Sequence, residues 1–170
     1  MPQPPPRFPL IDGFQFAAAG GSMRGAWPAG AFPRLRDLLH DEAGTVEYEL
    51  RGARDVQGRP CLELRVRGTL RLTCRRCLEA VSVALCEDAA LWLARTQAEI
   101  DAQPLATEGP DGVVASGAMA VRDLVEDELL LALPYAPRHE SCPARGTAAP
   151  GERQTPFAGL RGMLRGGNRH

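Results

Sequence analysis

The chain has 170 residues and a net charge of −1, and its 20 basic residues are all arginine, against 21 acidic residues. Because Schiff-base chemistry and the Walker-type phosphate loop both require lysine, the absence of lysine excludes them. Aromatic residues make up 5% of the chain, whereas Pro and Gly number 15 and 18. This composition predicts one globular domain with long irregular segments.

Residues 1–27 are rich in Pro, Gly and Ala and are predicted to be irregular. They contain no basic start followed by an apolar run, so they do not resemble a signal peptide. The longest apolar run, residues 129–136, is far too short to cross a bilayer. We therefore expect a cytoplasmic protein without a membrane partner, in which cysteines are thiols or metal ligands rather than disulfides.

Residues 32–39 fit a short amphipathic helix, and beyond Gly44 the apolar period changes from helical to two. Apolar and polar residues then alternate in four segments, which are residues 46–50, 62–66, 70–74 and 81–85. Turn residues at 52–58 and a turn or bulge at Gly68 separate the first three. This pattern predicts a meander of antiparallel strands with one buried face. Residues 89–95 fit either a further strand or a helix.

Three further segments complete the predicted fold. Residues 96–118 are acidic and contain several Pro and Gly residues, which predicts a mobile loop. Residues 121–133 have apolar side chains at helical spacing and are followed by Pro134, so a helix is predicted there. Residues 143–170 are predicted to be a flexible tail. The chain is thus expected to be a single α+β domain, an antiparallel sheet with one main packed helix and a core at about residues 28–142.

Two cysteines separated by two residues, Cys74 and Cys77, lie where one predicted strand ends and the next begins. Such a turn can place both sulfurs on one metal ion, and a structural zinc site needs four ligands. His139 and Cys142 follow the predicted helix with similar spacing and are the candidates for the other two ligands. Two alternatives stay open. One is disulfide exchange, for which the motif would normally open a helix, and the other is ordinary thiols with Cys74 in the core.

The near-zero net charge conceals segments of opposite sign, with +5 over residues 51–80, −8 over residues 87–128 and +4 over residues 138–170. Candidates for binding RNA or another partner are five arginines on one predicted sheet face and its turn, which are Arg65, Arg67, Arg71, Arg75 and Arg76. Arginine binds phosphate bidentately and stacks on bases. The alternative is a solvated face with cross-strand ion pairs, and the residues alone favour it because stacking aromatics are scarce. The acidic residues available for such pairs are Glu47, Glu49 and Glu63.

Three consecutive carboxylates, residues 126–128, lie on the predicted helix. Paired carboxylates can bind a metal or act in acid–base catalysis, but no nucleophile or catalytic histidine accompanies them. We interpret them as a solvated helix face, with docking of a basic protein as an alternative. No serine has the local features of a catalytic nucleophile, so the sequence predicts neither an enzyme nor a small-molecule substrate.

Four segments match one family pattern in the same order along the chain. They are a strand followed by Cys-x-Arg-Cys (residues 68–79), an acidic helix followed by Pro, His and Cys (residues 123–142), the sequence TPFAGL (residues 155–160) and a segment with an Arg-Leu pair (residues 28–40). The chain therefore resembles the YceD family, the large ribosomal RNA subunit accumulation proteins. The C-terminal segment departs from the pattern, because a Thr replaces the family's Asn and a Gly replaces an apolar residue.

The resemblance implies a bacterial, cytoplasmic, non-enzymatic ribosome biogenesis factor with a role in synthesis, processing or stability of 23S ribosomal RNA. Its partners would be 23S rRNA, a precursor of it or a large-subunit assembly particle, and ribosomal proteins. Some relatives have a second Cys-x-x-Cys where this chain has His139 and Cys142, which favours a structural zinc ion as cofactor. With the resemblance added, we expect the arginine face to contact RNA. The alternatives are an adaptor that reaches RNA through a ribosomal protein or nuclease, and a ribonuclease, which no catalytic constellation supports.

Overall fold

The computed structural model describes residues 8–103 and 109–142. The strands are β1 (Leu10–Ile11), β2 (Ser22–Pro28), β3 (Thr45–Arg54), β4 (Pro60–Thr73), β5 (Ala80–Ala94), β6 (Asp111–Val114) and β7 (Met119–Ala120). The α-helices are α1 (Gly13–Ala18), α2 (Pro33–Arg36), α3 (Gln97–Asp101) and α4 (Val121–Ala132), and a 3-10 turn covers Ala29–Ala31.

The main sheet has five strands in the order β2-β3-β4-β5-β6. β2 to β5 form an antiparallel meander, and β6 lies parallel to the last residues of β5. A separate two-stranded sheet pairs β1 with β7. The predicted α+β fold, with an antiparallel sheet and one main helix, is therefore confirmed.

One face of the main sheet is buried beneath α4 and α2. Alternate residues of β3 and β4 point into this core, among them Leu50, Leu64 and Leu70, which are essentially inaccessible to solvent. Val125 and Leu129 of α4 belong to the same cluster. Because side chains alternate along a strand, the polar residues between these positions lie on the opposite face, which is open to solvent.

β4 continues through Gly68, where the sequence predicts a turn or bulge. A Cβ at this position would lie 2.9 Å from the carbonyl oxygen of Thr45 and 3.3 Å from Cα of Val46 on β3. The glycine thus serves a close approach of two strands rather than a turn. The two predicted strands at 62–66 and 70–74 are one strand, and β5 likewise joins the segments at 81–85 and 89–95.

Two segments predicted to be irregular contain regular structure. Residues 8–27 include β1, α1 and nearly all of β2, so the core extends beyond the predicted limit of residue 28. The alternation of β2 is obscured by Gly25, whose missing side chain leaves room for the ring of Tyr48. The predicted loop at 96–118 contains α3 and β6. The predicted tail at 143–170 lies outside the described residues.

The main predicted helix is confirmed as α4, which ends at Ala132, two residues before Pro134. The helix predicted at 32–39 is shorter, because α2 ends at Arg36 and Leu39 forms a bridge with Leu72 of β4 instead. None of the described helices is long and apolar enough to cross a membrane.

Candidate metal centre and nucleic-acid interface

The turn between β4 and β5 holds two of the predicted metal ligands. Cys74 follows the last residue of β4, and the N–H of Leu78 donates to its carbonyl oxygen at 2.9 Å. Leu78 has a left-handed backbone with φ of 65°, which lets the chain return into β5. Inside this turn the N–H of Arg76 donates to the Cys74 Sγ at 3.4 Å, and Cys77 is buried. This is the tight turn that the Cys-x-x-Cys spacing predicts.

The segment after α4 brings the other two predicted ligands to this turn. The N–H of Arg75 donates to the carbonyl oxygen of Pro137 at 2.9 Å and joins the two segments. His139 Nδ1 lies 3.4 Å from Cys77 Sγ, and the Sγ atoms of Cys142 and Cys74 are 3.8 Å apart. The ligand atoms of the four residues all lie within 4.8 Å of one another. The Cys/His cluster, Cys74, Cys77, His139 and Cys142, could therefore hold a metal ion.

The spacing of the Cys/His cluster suits a tetrahedral ion. Sulfurs about 2.3 Å from a tetrahedral zinc ion lie about 3.8 Å from each other, which is the distance between Cys74 and Cys142. The second ring nitrogen of His139, Nε2, is 3.0 Å from the carbonyl oxygen of Ala80 and can donate to it. Such a bond to the backbone leaves Nδ1 with a free lone pair for a metal, as is usual for metal-binding histidines.

The thiols of the Cys/His cluster differ in acidity. Burial raises the pKa of Cys74, but N–H groups of Cys77, Arg76 and His139 donate to its sulfur and lower the pKa to about 5. Burial and the neighbouring sulfurs of Cys74 and Cys77 raise the pKa of Cys142 to about 11. The lowered pKa of Cys74 favours its thiolate, which is the form of cysteine that binds a metal ion.

Three of the five candidate arginines, Arg65, Arg67 and Arg71, lie on the open face of the sheet. The Nε of Arg65 donates to Oδ1 of Asp88 on β5, and the guanidinium of Arg71 is 3.0 Å from Oδ2 of Asp41. Opposite charges also face each other across β3 and β4, as the pairs Glu47–Arg67, Glu49–Arg65 and Arg51–Glu63. The face therefore carries mixed charge, with the cross-strand pattern of the alternative interpretation. Within the two described stretches, no ion pair is found for Arg67.

Arg75 and Arg76 lie in the turn after β4, where the sequence places them. Arg75 belongs to the Cys-Arg-Arg-Cys turn and lines a cleft together with Leu72 and Leu130, which lie on the helix-covered side of the sheet. It therefore does not share the open face of the sheet with Arg65. Arg76 is exposed at the same turn.

Comparison with known proteins decides the family. Residues 62–163 match the family described as the large ribosomal RNA subunit accumulation protein YceD. The match covers more than half of the chain. This chain belongs to the YceD family. No curated protein and no solved structure matches it.

The YceD match includes most of β4 with its arginines, both halves of the Cys/His cluster and α4. It begins within β4, so β1 to β3, α1 and α2 lie outside it. The resemblance inferred from the motifs at 68–79, 123–142 and 155–160 is confirmed, and the N-terminal segment at 28–40 falls outside the matched region.

The sequence prediction is wrong for one carboxylate of this YceD chain, that of Glu126. Glu126 was expected on a solvated helix face, but it is 2% exposed. Its Oε1 accepts from the N–H groups of Arg34 and Leu35 at 2.6 and 3.1 Å, and its Oε2 accepts from the Arg34 Nε at 3.0 Å. Because α2 has no side-chain cap of its own, Glu126 caps it from α4. The Phe32-Pro33 start of α2, which lacks a capping side chain, is the one hint the sequence offers.

Proposed function

We propose that this chain is a non-enzymatic factor that supports the accumulation of 23S rRNA in the cytoplasm by contacting the RNA or an assembling large subunit. The observation that carries the proposal is the YceD match over residues 62–163. Histidine is the side chain that most often acts as a general acid or base, and the positions of two histidines support a non-enzymatic role. His139 belongs to the Cys/His cluster, and His40 is exposed on the surface. The third histidine, His170, lies outside the described residues.

The arginines of the open sheet face are suited to contact RNA phosphates. Arg65 and Arg71 have side chains that are 49% and 45% exposed, and those of their partners Asp88 and Asp41 are 61% and 37% exposed. An exposed ion pair contributes about 0–1 kcal/mol, so exchanging Asp88 or Asp41 for a phosphate costs little. Arg67 has no ion pair to release among the described residues. The mixed charge of the face predicts moderate, salt-sensitive binding rather than a general affinity for polyanions.

Salt dependence of binding to 23S rRNA fragments tests this contact. We expect Arg65→Gln combined with Arg67→Gln to weaken binding and to reduce the slope of log K against log[salt] by about 1.5, since each phosphate contact contributes about 0.7–0.9. The matched control, Arg36→Gln with Arg54→Gln, removes the same charge elsewhere on the surface and should leave the slope unchanged. Equal effects of the two double variants would show that this face makes no specific contact.

We further propose that the Cys/His cluster binds one Zn²⁺ as a structural ion. The donor set of three thiols and an imidazole, the tetrahedral spacing and the bond from His139 to the backbone all fit zinc. The ion would tie the end of α4 to the sheet in a domain with few aromatic side chains.

Elemental analysis of untagged protein tests the zinc proposal. We expect about one equivalent of zinc in the wild type, less than about half an equivalent in Cys142→Ser, and a chelator-induced fall in the melting temperature. Cys86→Ser is the control, because Cys86 is an exposed free thiol outside the cluster, and it should keep its zinc. Wild-type protein that contains less than about half an equivalent of zinc and melts at the same temperature with and without chelator would refute a structural ion.

A second candidate function, a protein-binding adaptor, is favoured by one groove. It has a volume of about 390 Å³ between β6 and α4, apolar lining residues that include Leu91 and Leu131, and acidic groups at Asp111 and Glu128. Such a groove is suited to a basic segment with apolar side chains. If purified protein binds no 23S fragment but retains a basic ribosomal protein, and Glu128→Lys abolishes that binding, the adaptor is favoured over direct RNA contact.

A further inference from the structure

A second cleft lies where the Cys/His cluster meets the end of α4. It has a volume of about 530 Å³ and is walled by apolar side chains of the segment after α2, of β4 and of α4. The apolar lining residues are Leu38, Leu39, Leu72, Leu130 and Leu133. Asp37, Arg75 and Tyr135 also line the cleft. An apolar pocket with a few polar groups at its edge is the usual form of a ligand-binding site.

Tyr135 is the unusual residue of this cleft. Its side chain is 99% exposed, so neither face of the ring is used by the fold. In the sequence, Tyr135 stands between Pro134 and Pro137, whose fixed φ angles restrict the loop. Arg75 is held against the same loop by its N–H bond to the carbonyl oxygen of Pro137, at 2.9 Å. A free aromatic face and a guanidinium therefore stand beside the same apolar cleft.

We propose that this cleft binds an unpaired nucleobase of the RNA, stacked on Tyr135, with an adjacent phosphate held by Arg75. The inference rests on the proposed function and adds to it, because it distinguishes single-stranded RNA from duplex. Bases stack on aromatic rings and on guanidinium planes, and a base can do so once it is unpaired. An apolar peptide would also fill the floor of the cleft, but it would not need a guanidinium beside a free ring.

The Cys/His cluster is what positions this subsite. Arg75 lies between the two ligands Cys74 and Cys77, and Tyr135 precedes His139 by four residues. Binding of one ion by all four residues of the Cys/His cluster would fix both segments that line the cleft, the turn with Arg75 and the loop with Tyr135. The loss of metal should therefore weaken binding of single-stranded RNA more than the loss of any single arginine of the open sheet face.

Binding of matched single-stranded and duplex RNA oligonucleotides to the full chain tests the inference. We expect Tyr135→Ser to weaken single-strand binding about 5- to 150-fold, the range that corresponds to the loss of one stacking residue, and to leave duplex binding within twofold. Tyr135→Phe should retain the wild-type affinity. Val56→Ser is the control, because Val56 is likewise a fully exposed apolar side chain and does not line this cleft. Since Tyr135 is fully exposed, its replacement leaves the fold intact.

Photocrosslinking gives the second measurement. Single-stranded RNA that carries 4-thiouridine should crosslink to the peptide containing Tyr135, and excess unlabelled single-stranded RNA should remove the crosslink. Unchanged single-strand affinity of Tyr135→Ser, or equal losses for single strand and duplex, would overturn the inference while leaving RNA contact by the sheet face in place. If an apolar peptide binds the cleft and RNA does not, the inference is wrong, and absence of any RNA binding overturns direct contact as a whole.

Discussion

The carboxylate of Glu126 provides the sharpest test of the packing between α2 and α4. It accepts three hydrogen bonds at 2.6–3.1 Å from Arg34 and Leu35 while being 2% exposed. In Glu126→Ala the N–H of Leu35, a fully buried residue, loses its acceptor, and a cavity remains between the helices. Leaving a buried donor unsatisfied costs about 1–3 kcal/mol, and removing one member of a buried charged pair about 3–5 kcal/mol.

We therefore expect Glu126→Ala to lower the free energy of unfolding by about 3–4 kcal/mol, the lower part of that range because the Arg34 side chain is half exposed. Glu126→Gln should cost less, about 1–2 kcal/mol, because an amide oxygen still accepts from the two backbone N–H groups. Urea unfolding followed by the fluorescence of Trp27 and Trp92, both buried, measures the change.

Asp127→Asn is the matched control, since Asp127 is 53% exposed and its contact with Arg34, at 2.6 Å, is a surface ion pair. Its removal should cost no more than about 1 kcal/mol. If Glu126→Ala costs less than about 1 kcal/mol, or no more than Asp127→Asn, then Glu126 does not cap α2 in solution.

Two further changes test electrostatics and strand approach. Burial, and to a smaller extent the charges of Asp111, Asp127 and Glu87, raise the pKa of Glu128. Because this pKa is higher in the folded than in the unfolded state, ionised Glu128 destabilises the fold at pH values above the folded pKa. Glu128→Gln should therefore raise the free energy of unfolding in urea melts at pH 7. The gain should shrink as the pH falls through the folded pKa and vanish near pH 4. A difference between variant and wild type that stays constant across pH would contradict this. Gly44 has φ of 122°, and a Cβ there would lie 2.4 Å from the carbonyl oxygen of Thr69. Gly44→Ala should lower the melting temperature in calorimetry, whereas Gly58→Ala, with open space around it, should lower it less.

The alternation of β3, β4 and β5 could be predicted because one face of each strand is buried and the other is solvated. The same logic failed for β2, where Gly25 removes the side chain that would mark the core face and Tyr48 fills the space. It failed again at Gly68, since close approach of β3 and β4 and a turn both favour glycine. The polar and apolar pattern of one strand contains no information about the close contacts that the neighbouring strand makes with it.

The four residues of the candidate metal site could be predicted together, because each pair has a short spacing and follows the end of a strand or helix. The structure brings their ligand atoms within 4.8 Å of one another. The face of the arginines on β4 could be predicted because period two assigns it. The side of the sheet on which Arg75 lies could not be predicted, because a turn follows no such period. Glu126 was missed for another reason. Its partners, Arg34 and Leu35, are more than 90 residues away in sequence, and local spacing contains no information about them.

The ratio of 23S to 16S rRNA in cells that lack this chain tests the central claim most directly. We predict that the ratio falls when the chain is removed and recovers when the wild type is restored. Arg65→Gln with Arg67→Gln should fail to restore it at equal protein level, whereas Arg36→Gln with Arg54→Gln should restore it. A ratio that is unchanged by removal of the chain would contradict a role in large-subunit RNA accumulation.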